Sequence, residues 1–140
     1  MTLVITVDEA MGLAFGGKRQ SRDRELTRDI WRMADGRRIV AAEYSRLLFE
    51  EAEIDVSGVL FAPDPALAAE ATDVVLLELG AAEAELLAAD ELVIYCWNRR
   101  YPATVKLDPE LIERHFVKAD EREFVGNSHE KLTRVTYKRK

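Results

Sequence analysis

Hydrophobic and polar residues follow one another in blocks that predict strands and helices in turn. The run Leu3–Val7 is short, apolar, β-branched and followed by acidic residues, which is typical of a strand buried on both faces. A loop with three glycines comes next, and then Leu26, Ile30 and Met33 repeat at helical spacing. Because ligands of open α/β sheets lie beyond the carboxyl ends of the strands, we expect any site to begin between Asp8 and Asp23.

The same alternation continues along the chain. Further buried strands are predicted at Arg38–Ala42, Val59–Ala62, Val74–Leu77 and Leu92–Trp97. Helices are predicted between them: around Tyr44–Leu48 with Glu43 or Ser45 as a cap, after the Asp64–Pro65 start signal, and over Ala82–Ala89. The acidic connection between the first two of these helices has room for a short strand at Ile54–Val56.

The end of the chain has a different pattern. Phe116–Lys118 and Leu132–Tyr137 are strand-like, and a Gly126-Asn127 turn region lies between them, so they should pair as an antiparallel hairpin at the sheet edge with one face of the last strand in solvent. The preceding strand and helix alternation requires right-handed crossovers and a largely parallel sheet. We therefore predict a three-layer α/β fold in one domain, residues 1–140.

Composition narrows the class of function. The net charge is −6 and the sequence pI is about 5.0, which argues against nucleic acid as a partner, since phosphate binding needs clustered Lys and Arg. Cys96 is the only cysteine, so no disulfide or thiolate metal cluster is expected, and a cytoplasmic location is the default. No apolar run approaches the roughly 18 residues needed to span a bilayer. The oligomeric state stays open.

The order of elements and several local strings resemble the dihydrofolate reductase family across nearly the whole chain. The segment Leu3–Leu13 is similar to that family's first strand and the start of its mobile active-site loop. Phe116–Asp120, and Asn127–His129 leading to a last strand that finishes Tyr137–Arg139, look like its closing hairpin. The resemblance implies that family's fold, a small-molecule ligand, and NADPH or NADH as a cofactor.

The family's site residues carry over unevenly. Its buried carboxylate early in the first helix matches Asp23, although a shift of one residue would place Arg24 there instead. Of its glycine pair beside the cofactor pyrophosphate, only Gly80 is left. On this resemblance we predict that Asp23 orients the substrate, and that the cofactor contacts are Gly12, Gly16, Gly17, Ser45 and Gly80.

Two departures argue against folate reduction itself. The family's Gly-Arg-x-Thr string reads Ala42–Ser45, so Ser45 keeps the hydroxyl while Glu43 replaces a phosphate-pairing arginine, which disfavours the 2′-phosphate of NADPH. The arginine for the folate glutamate tail would lie within residues 51–58, where no basic residue exists. A nicotinamide-dependent reductase of another planar substrate therefore competes with a non-catalytic binding or interaction domain on the same fold.

Three strings also resemble a group of short bacterial proteins of unsettled function, some of which carry a ribonuclease Z label: Lys18–Asp23, Trp97–Pro102 and Gly126–Glu130. True members of that metallo-hydrolase class bind two zinc ions through several histidines and aspartates. Because this chain has only two histidines, we predict no metal site and reject a metal-dependent nuclease.

Aromatic and charged residues supply the remaining candidates. Trp97 and Tyr101 could stack a flat ring while Arg99 pairs its charge, and we expect Glu78 to line the same cleft, between the glycine loop, Ser45 and Trp97. The competing interpretation is an aromatic pair that closes the core. The two histidines suggest another hypothesis, metal-independent RNA hydrolysis with His115 and His129 as acid and base across the hairpin. The simpler interpretation of His129 is a residue that shapes a turn.

Overall fold

The computed structural model describes residues 1–140 and contains ten strands in two sheets. The strands are β1 (Thr2–Val7), β2 (Gly12–Phe15), β3 (Lys18–Arg19), β4 (Ile39–Ala41), β5 (Val59–Phe61), β6 (Val74–Leu76), β7 (Glu91–Cys96), β8 (Val105–Lys106), β9 (Phe116–Phe124) and β10 (Leu132–Arg139). The main sheet has the order β5-β4-β6-β1-β7-β10-β9, and the small sheet has the order β3-β2-β8.

The main sheet is parallel except at one end. β1 pairs in parallel with both β6 and β7, and β4 pairs in parallel with β5 and β6. β10 runs antiparallel to β7 and to the edge strand β9. The predicted fold class, a mostly parallel sheet with an antiparallel carboxyl-terminal hairpin, is confirmed. It brings the carboxyl ends of β1, β4, β6 and β7 to one edge.

Five α-helices cover the sheet: α1 (Arg24–Ala34), α2 (Arg46–Glu51), α3 (Pro65–Ala68), α4 (Glu83–Ala88) and α5 (Pro109–His115). One buried cluster joins α1 and α2 to one face of the sheet, and the other joins α4 and α5 to the opposite face. Neighbouring strand residues alternate between the clusters, since Val4 packs with α1 while Leu3 and Ile5 pack with α4 and α5. The strands are therefore buried on both faces, as their continuous apolar runs predict.

The predicted glycine loop is a β-hairpin. Phe15 pairs with Lys18, and Gly16 and Gly17 between them have φ values of 58° and 75°. Two positive φ angles in a two-residue connection make a type I′ turn, which glycine adopts without steric cost. β2 also pairs with β8, so the hairpin lies over the sheet edge as part of a second sheet. The sequence pattern missed β3 and β8, which have two residues each, and β2, which lies in the glycine-containing segment that was predicted to be a loop.

Several local expectations are corrected. No strand forms at Ile54–Val56; a 3-10 turn begins at Val56 instead. Ser45 does not cap α2, because its hydroxyl donates to Glu78 across the cleft. The helix α5 was not foreseen, although Asp108 caps it and Pro109 opens it. The face of β10 that carries Arg134 is not simply in solvent, because this side chain is only 16% exposed.

A buried ion network explains the position of Arg134 and anchors α1 to the sheet. The Asp29 carboxylate is fully buried on α1 and accepts hydrogen bonds from the Tyr95 hydroxyl at 2.6 Å, Arg134 at 2.8 Å and Arg122 at 3.2 Å. Burial, reinforced by the charge of Asp29, raises the pKa of Tyr95. A helix, the strand β7 and both strands of the closing hairpin are thereby joined at one carboxylate.

Candidate functional site

A closed cleft lies between α1 and the carboxyl ends of β1, β6 and β7. The free space in and beside the cleft is about 260 Å³, adjoining solvent included. Only about 10 Å³ of it is available to the centre of a water molecule, so the cleft holds about one water. Its walls combine five apolar side chains, Leu26, Ile30, Leu48, Leu76 and Trp97, with six polar ones, Thr6, Ser21, Arg22, Asp23, Thr27 and Glu78. Convergent polar groups beside apolar walls are a feature of small-molecule sites, although in this conformation the cleft is nearly filled.

Asp23 is the N-cap of α1 and also holds the loop that follows β9. Its Oδ1 accepts the N–H groups of Glu25 at 2.9 Å and Asn127 at 2.8 Å. Its Oδ2 accepts the N–H of Ser128 at 2.8 Å and faces Nδ1 of His129 at 3.0 Å. Every lone pair of this carboxylate is thus used inside the protein, and the side chain has no exposed surface.

These contacts decide the charge of Asp23. Burial by itself would raise its pKa, but the N–H groups of Asn127 and Ser128, the His129 ring and the N–H of Glu25 together outweigh burial and lower the pKa to about 2. Asp23 is therefore an anion at neutral pH and acts only as an acceptor. The predicted role of Asp23, orienting a substrate directly, requires that a ligand displace one of these internal donors.

His129 lies beside Asp23 with almost no exposed surface. Its ring stacks on the Trp97 indole, with centroids 4.9 Å apart and planes 30° apart. Its Nε2 lies 3.1 Å from the Ser21 hydroxyl and 3.1 Å from the Tyr101 hydroxyl. The structure thus brings three predicted site residues, Asp23, Trp97 and Tyr101, together with His129.

The proton positions in this cluster follow from Asp23. Because the Asp23 carboxylate only accepts, the ring proton of a neutral His129 lies on Nδ1 and leaves Nε2 as an acceptor. One lone pair on Nε2 can take one hydroxyl proton, from Ser21 or from Tyr101. The Tyr101 hydroxyl also lies 3.4 Å from Ser21 Oγ, so a chain Tyr101 to Ser21 to His129 to Asp23 satisfies every donor.

Glu78 forms the second polar centre of the cleft. Its carboxylate accepts two parallel hydrogen bonds from the Arg19 guanidinium, at 2.8 Å from Nε and 2.9 Å from Nη2, and a third from the Ser45 hydroxyl at 2.7 Å. Glu78 is 5% exposed and Arg19 is 14% exposed. The Arg19 guanidinium also lies over the Tyr44 ring, 4.1 Å from its centroid. Arg19 therefore fixes the β2–β3 hairpin over the cleft.

The loops around the cleft are held by a second buried aspartate. The Asp8 carboxylate accepts the N–H groups of Ala10 and Gly12 at 2.8 Å and that of Tyr101 at 3.2 Å. A Cβ on Gly12 would stand 2.9 Å from Asp8 Oδ2, so glycine is required there by close packing within the protein. Close packing of the loop therefore accounts for Gly12, and the positive φ angles of the hairpin turn account for Gly16 and Gly17.

Of the remaining predicted cofactor and ligand residues, Gly80 and Arg99 lie at the rim of the cleft, whereas Trp97 is buried in its wall. Gly80 makes no close approach, since an added Cβ would meet only Val105 at 3.8 Å. Arg99 is exposed and donates to the backbone carbonyl of Ser128 at 3.0 Å. Trp97 is 3% exposed, and its Nε1 has no hydrogen-bond partner. A buried N–H without a partner is costly and marks a place where a ligand atom could accept.

The structure does not bring the two histidines together. Phe116 pairs with Arg139 at one end of the β9–β10 hairpin, and Phe124 pairs with Leu132 at the other. His115 precedes the first pair and His129 precedes the second, which separates them by about 24 Å along the strands. Acid and base catalysis by this pair, the basis of the RNA-hydrolysis hypothesis, lacks the required geometry.

Three residues of the site were missed by sequence reasoning. Arg19 and Ser21 lie in the string Lys18–Asp23, where no pattern assigned either side chain to a site. Gly126 was assigned only to a turn, whereas a Cβ on it would stand 2.5 Å from Asp23 Oδ2. The only local signal is the string Gly126-Asn127-Ser128-His129 in the closing hairpin, and it does not indicate which residues these side chains contact.

Two properties of the whole chain complete the description. No group of three or more His, Cys, Asp or Glu side chains could hold a metal ion. None of the helices has the length and apolar character needed to cross a membrane.

Comparison with known proteins identifies the fold. No protein-family model matches the chain, and no curated protein matches it either. Among solved structures, the chain is similar to the dihydrofolate reductase of Enterococcus faecalis in complex with NADP(H) and RAB-propyl, with a TM-score of 0.63 and 14% identity. The match covers 99% of this chain and 95% of that one. The chain therefore has a dihydrofolate reductase-like fold, as the sequence resemblance implied.

Proposed function

We propose that the protein binds a small planar ligand with an amidinium or guanidinium edge, which enters the cleft and pairs with Glu78. The observation that carries this proposal is the bidentate Arg19–Glu78 pair. The Arg19 guanidinium donates two parallel hydrogen bonds to the Glu78 carboxylate, and a ligand of this class would make the same two bonds.

The chemistry of the pair supports this ligand class. A carboxylate with two oxygens in one plane matches the parallel donors of a guanidinium or an amidinium, and such pairs are shorter and stronger than neutral hydrogen bonds. Glu78 keeps the Ser45 hydroxyl as a third donor when Arg19 leaves, so its orientation is retained. The apolar side chains of Leu26, Ile30 and Leu76 would contact the faces of a planar ring.

Access to Glu78 depends on the β2–β3 hairpin. In its present position the cleft has room for about one water molecule, so a ligand requires the hairpin to move. Arg19 belongs to a two-residue strand, and the hairpin turn of Gly16 and Gly17 is exposed. We propose that opening of this hairpin withdraws Arg19 and that a cationic ligand takes its place, as mobile loops do in many ligand sites.

Benzamidine is a suitable probe because it is planar and carries an amidinium group. We expect the Arg19→Ala variant to bind benzamidine at least about 10-fold more tightly than the parent protein, which corresponds to about 1.4 kcal/mol. Binding should be lost when Glu78→Gln is added, since an amide accepts at one oxygen only. Quenching of Trp97 fluorescence, measured in a Trp31→Phe background, gives the readout.

Arg22→Ala is the matched control, because Arg22 borders the same cleft but is 53% exposed and pairs with Glu51 instead. Its affinity for benzamidine should equal that of the parent. A folded Arg19→Ala protein that does not bind millimolar benzamidine, or that binds equally well with Gln at position 78, contradicts the proposal.

A nicotinamide-dependent reductase is the second candidate, because the similar reductase is a complex with NADP(H). The residues of this chain at the places where a dinucleotide would bind, Ser45 and the start of α4, do not fit one in their present arrangement. The Ser45 hydroxyl is engaged by Glu78, and the Ala82 N–H at the start of α4 donates to the Glu85 carboxylate at 2.8 Å. An anionic cofactor would have to displace carboxylates at both places.

Titration with NADPH and NADH separates the two candidates. The binding proposal predicts no saturable quenching of tryptophan fluorescence by either dinucleotide at micromolar concentration. Saturable quenching would favour the reductase and would justify a search for a planar substrate that oxidises the cofactor. Binding of benzamidine without binding of a dinucleotide would favour the proposed function.

A further inference from the structure

The contacts of the Asp23–His129 pair fix the orientation of the imidazole ring, which a residue that only shapes a turn does not require. The ring of His129 is held by Asp23 at Nδ1 and by the Trp97 indole on one face, so its plane and its tautomer are both determined. Its Nε2 is presented to two hydroxyl groups that have some exposed surface. A buried carboxylate, an oriented imidazole and a hydroxyl at hydrogen-bond distance are the parts of an activated nucleophile.

Ser21 is the hydroxyl in the reactive position. Ser21 borders the cleft, whereas Tyr101 is not among the residues that line it. The Tyr101 hydroxyl is 3.4 Å from Ser21 Oγ and can donate to it, which leaves the Ser21 proton for His129 Nε2. Tyr101 therefore orients the Ser21 hydroxyl toward the imidazole.

The cleft also contains a donor without a partner. Trp97 Nε1 is buried, makes no hydrogen bond and belongs to a side chain that lines the same cavity as Ser21. Acyl transfer needs N–H or O–H donors that stabilise the negative oxygen formed on the attacked carbon. The unpartnered indole N–H is a group that could meet this need.

From this cluster we propose a further activity: Ser21 is the nucleophile of an acyl transfer, His129 is its base, and Asp23 is the carboxylate that orients His129. Ser21 Oγ attacks the carbonyl carbon of a small ester, and its proton passes to His129 Nε2. The bond to the leaving alcohol breaks and that alcohol takes the proton. Water then attacks the acyl-serine by the same route, releasing the acid and restoring the Ser21 hydroxyl.

This activity goes beyond the proposed binding function, and different groups carry the two. Benzamidine binding depends on Glu78 and Arg19, whereas acylation depends on Ser21 and His129. If the protein binds benzamidine but is not acylated, the binding function is supported and the acyl-transfer activity is contradicted. If the protein is acylated but does not bind benzamidine, the acyl-transfer activity is supported and the binding function is contradicted.

The test uses the unmodified protein and a small fluorophosphonate ester, which transfers its phosphonyl group to an activated serine with loss of fluoride. We expect the intact mass to increase by one phosphonyl group and peptide mapping to place it on Ser21. The exposed Ser57 serves as an internal control and should stay unlabelled. Absence of label on Ser21, or equal labelling of Ser57, would overturn the inference.

Variants then separate a base from a merely structural histidine. His129→Gln should slow the labelling of Ser21 by at least about 100-fold, since positioned proton transfer contributes rate factors of that order. Its urea midpoint is measured alongside, so that only folded protein is compared. Ser57→Ala should label at the parent rate. A folded His129→Gln protein that labels at the parent rate would show that the imidazole is not the base.

Should His129→Gln not fold, acetylation of the parent protein by p-nitrophenyl acetate tests whether the folded cluster activates Ser21. An activated Ser21 is acetylated faster than Ser57 in the native protein, and the preference is lost in 8 M urea because the cluster no longer exists. Equal preference in both conditions would contradict the role of His129 and Asp23 in activating Ser21.

Discussion

Gly126 lies against the Asp23 carboxylate, so that a Cβ on Gly126 would stand 2.5 Å from Asp23 Oδ2 and 2.8 Å from the His129 carbonyl oxygen. We expect Gly126→Ala to destabilise the protein by about 3 kcal/mol, because either the carboxylate or the loop backbone must move. Urea denaturation measures the change. Gly80→Ala is the control: its Cβ would meet only Val105 at 3.8 Å, so its stability should stay within about 0.5 kcal/mol of the parent.

The ionised Asp23 predicts a loss of stability in acid. Its folded pKa of about 2 lies below the ordinary value, so its contribution is complete above about pH 4 and is lost as the pH falls toward 2. The shift corresponds to about 2 kcal/mol. Other aspartates share this direction, so we compare the parent with Asp23→Asn by urea denaturation between pH 6 and pH 2. The difference in stability between the two proteins should shrink toward acid; a constant difference would contradict the ionised carboxylate.

The Asp29 network predicts a large cost for removing one charge. Asp29→Asn leaves Arg134, which is 16% exposed, without its anion, and we expect a loss of about 3 kcal/mol in the free energy of unfolding. Asp35→Asn is the matched control, because Asp35 is exposed and its left-handed backbone, φ 48°, suits asparagine equally well. If both substitutions cost the same, the network does not anchor α1.

Cys96 should be a slow thiol. Burial, with a smaller contribution from Glu121, raises its pKa to about 11. Because the thiolate is the reactive form, we expect the native protein to react with Ellman's reagent at pH 8 on the order of 100-fold more slowly than an unperturbed thiol. After addition of urea, the single thiol should react at the rate of a free thiol and release one equivalent of the coloured thiolate product. A fast reaction in the folded protein would contradict the raised pKa of this thiol.

The pattern of apolar residues was sufficient for the architecture. The runs at Leu3–Val7 and Leu92–Trp97 are continuous because both faces of those strands are covered, and the stripe of Leu26, Ile30 and Met33 places one helix face on the sheet. These signals are local, so the elements and the fold class could be predicted from them, whereas the strand order came only from the tertiary structure. The short strands β3 and β8 carry too few residues for any period to be detected.

The site depends on contacts between distant parts of the chain. The sequence by itself supplied the chemical groups: an aspartate and a serine before the first helix, and a histidine in the closing hairpin. Only the tertiary structure decided that Asp23 meets His129, 106 residues later, and that Arg19 meets Glu78, 59 residues later. The physical reason is that a hydrogen bond between distant residues leaves no periodic trace in the sequence, whereas burial of a strand or a helix face does.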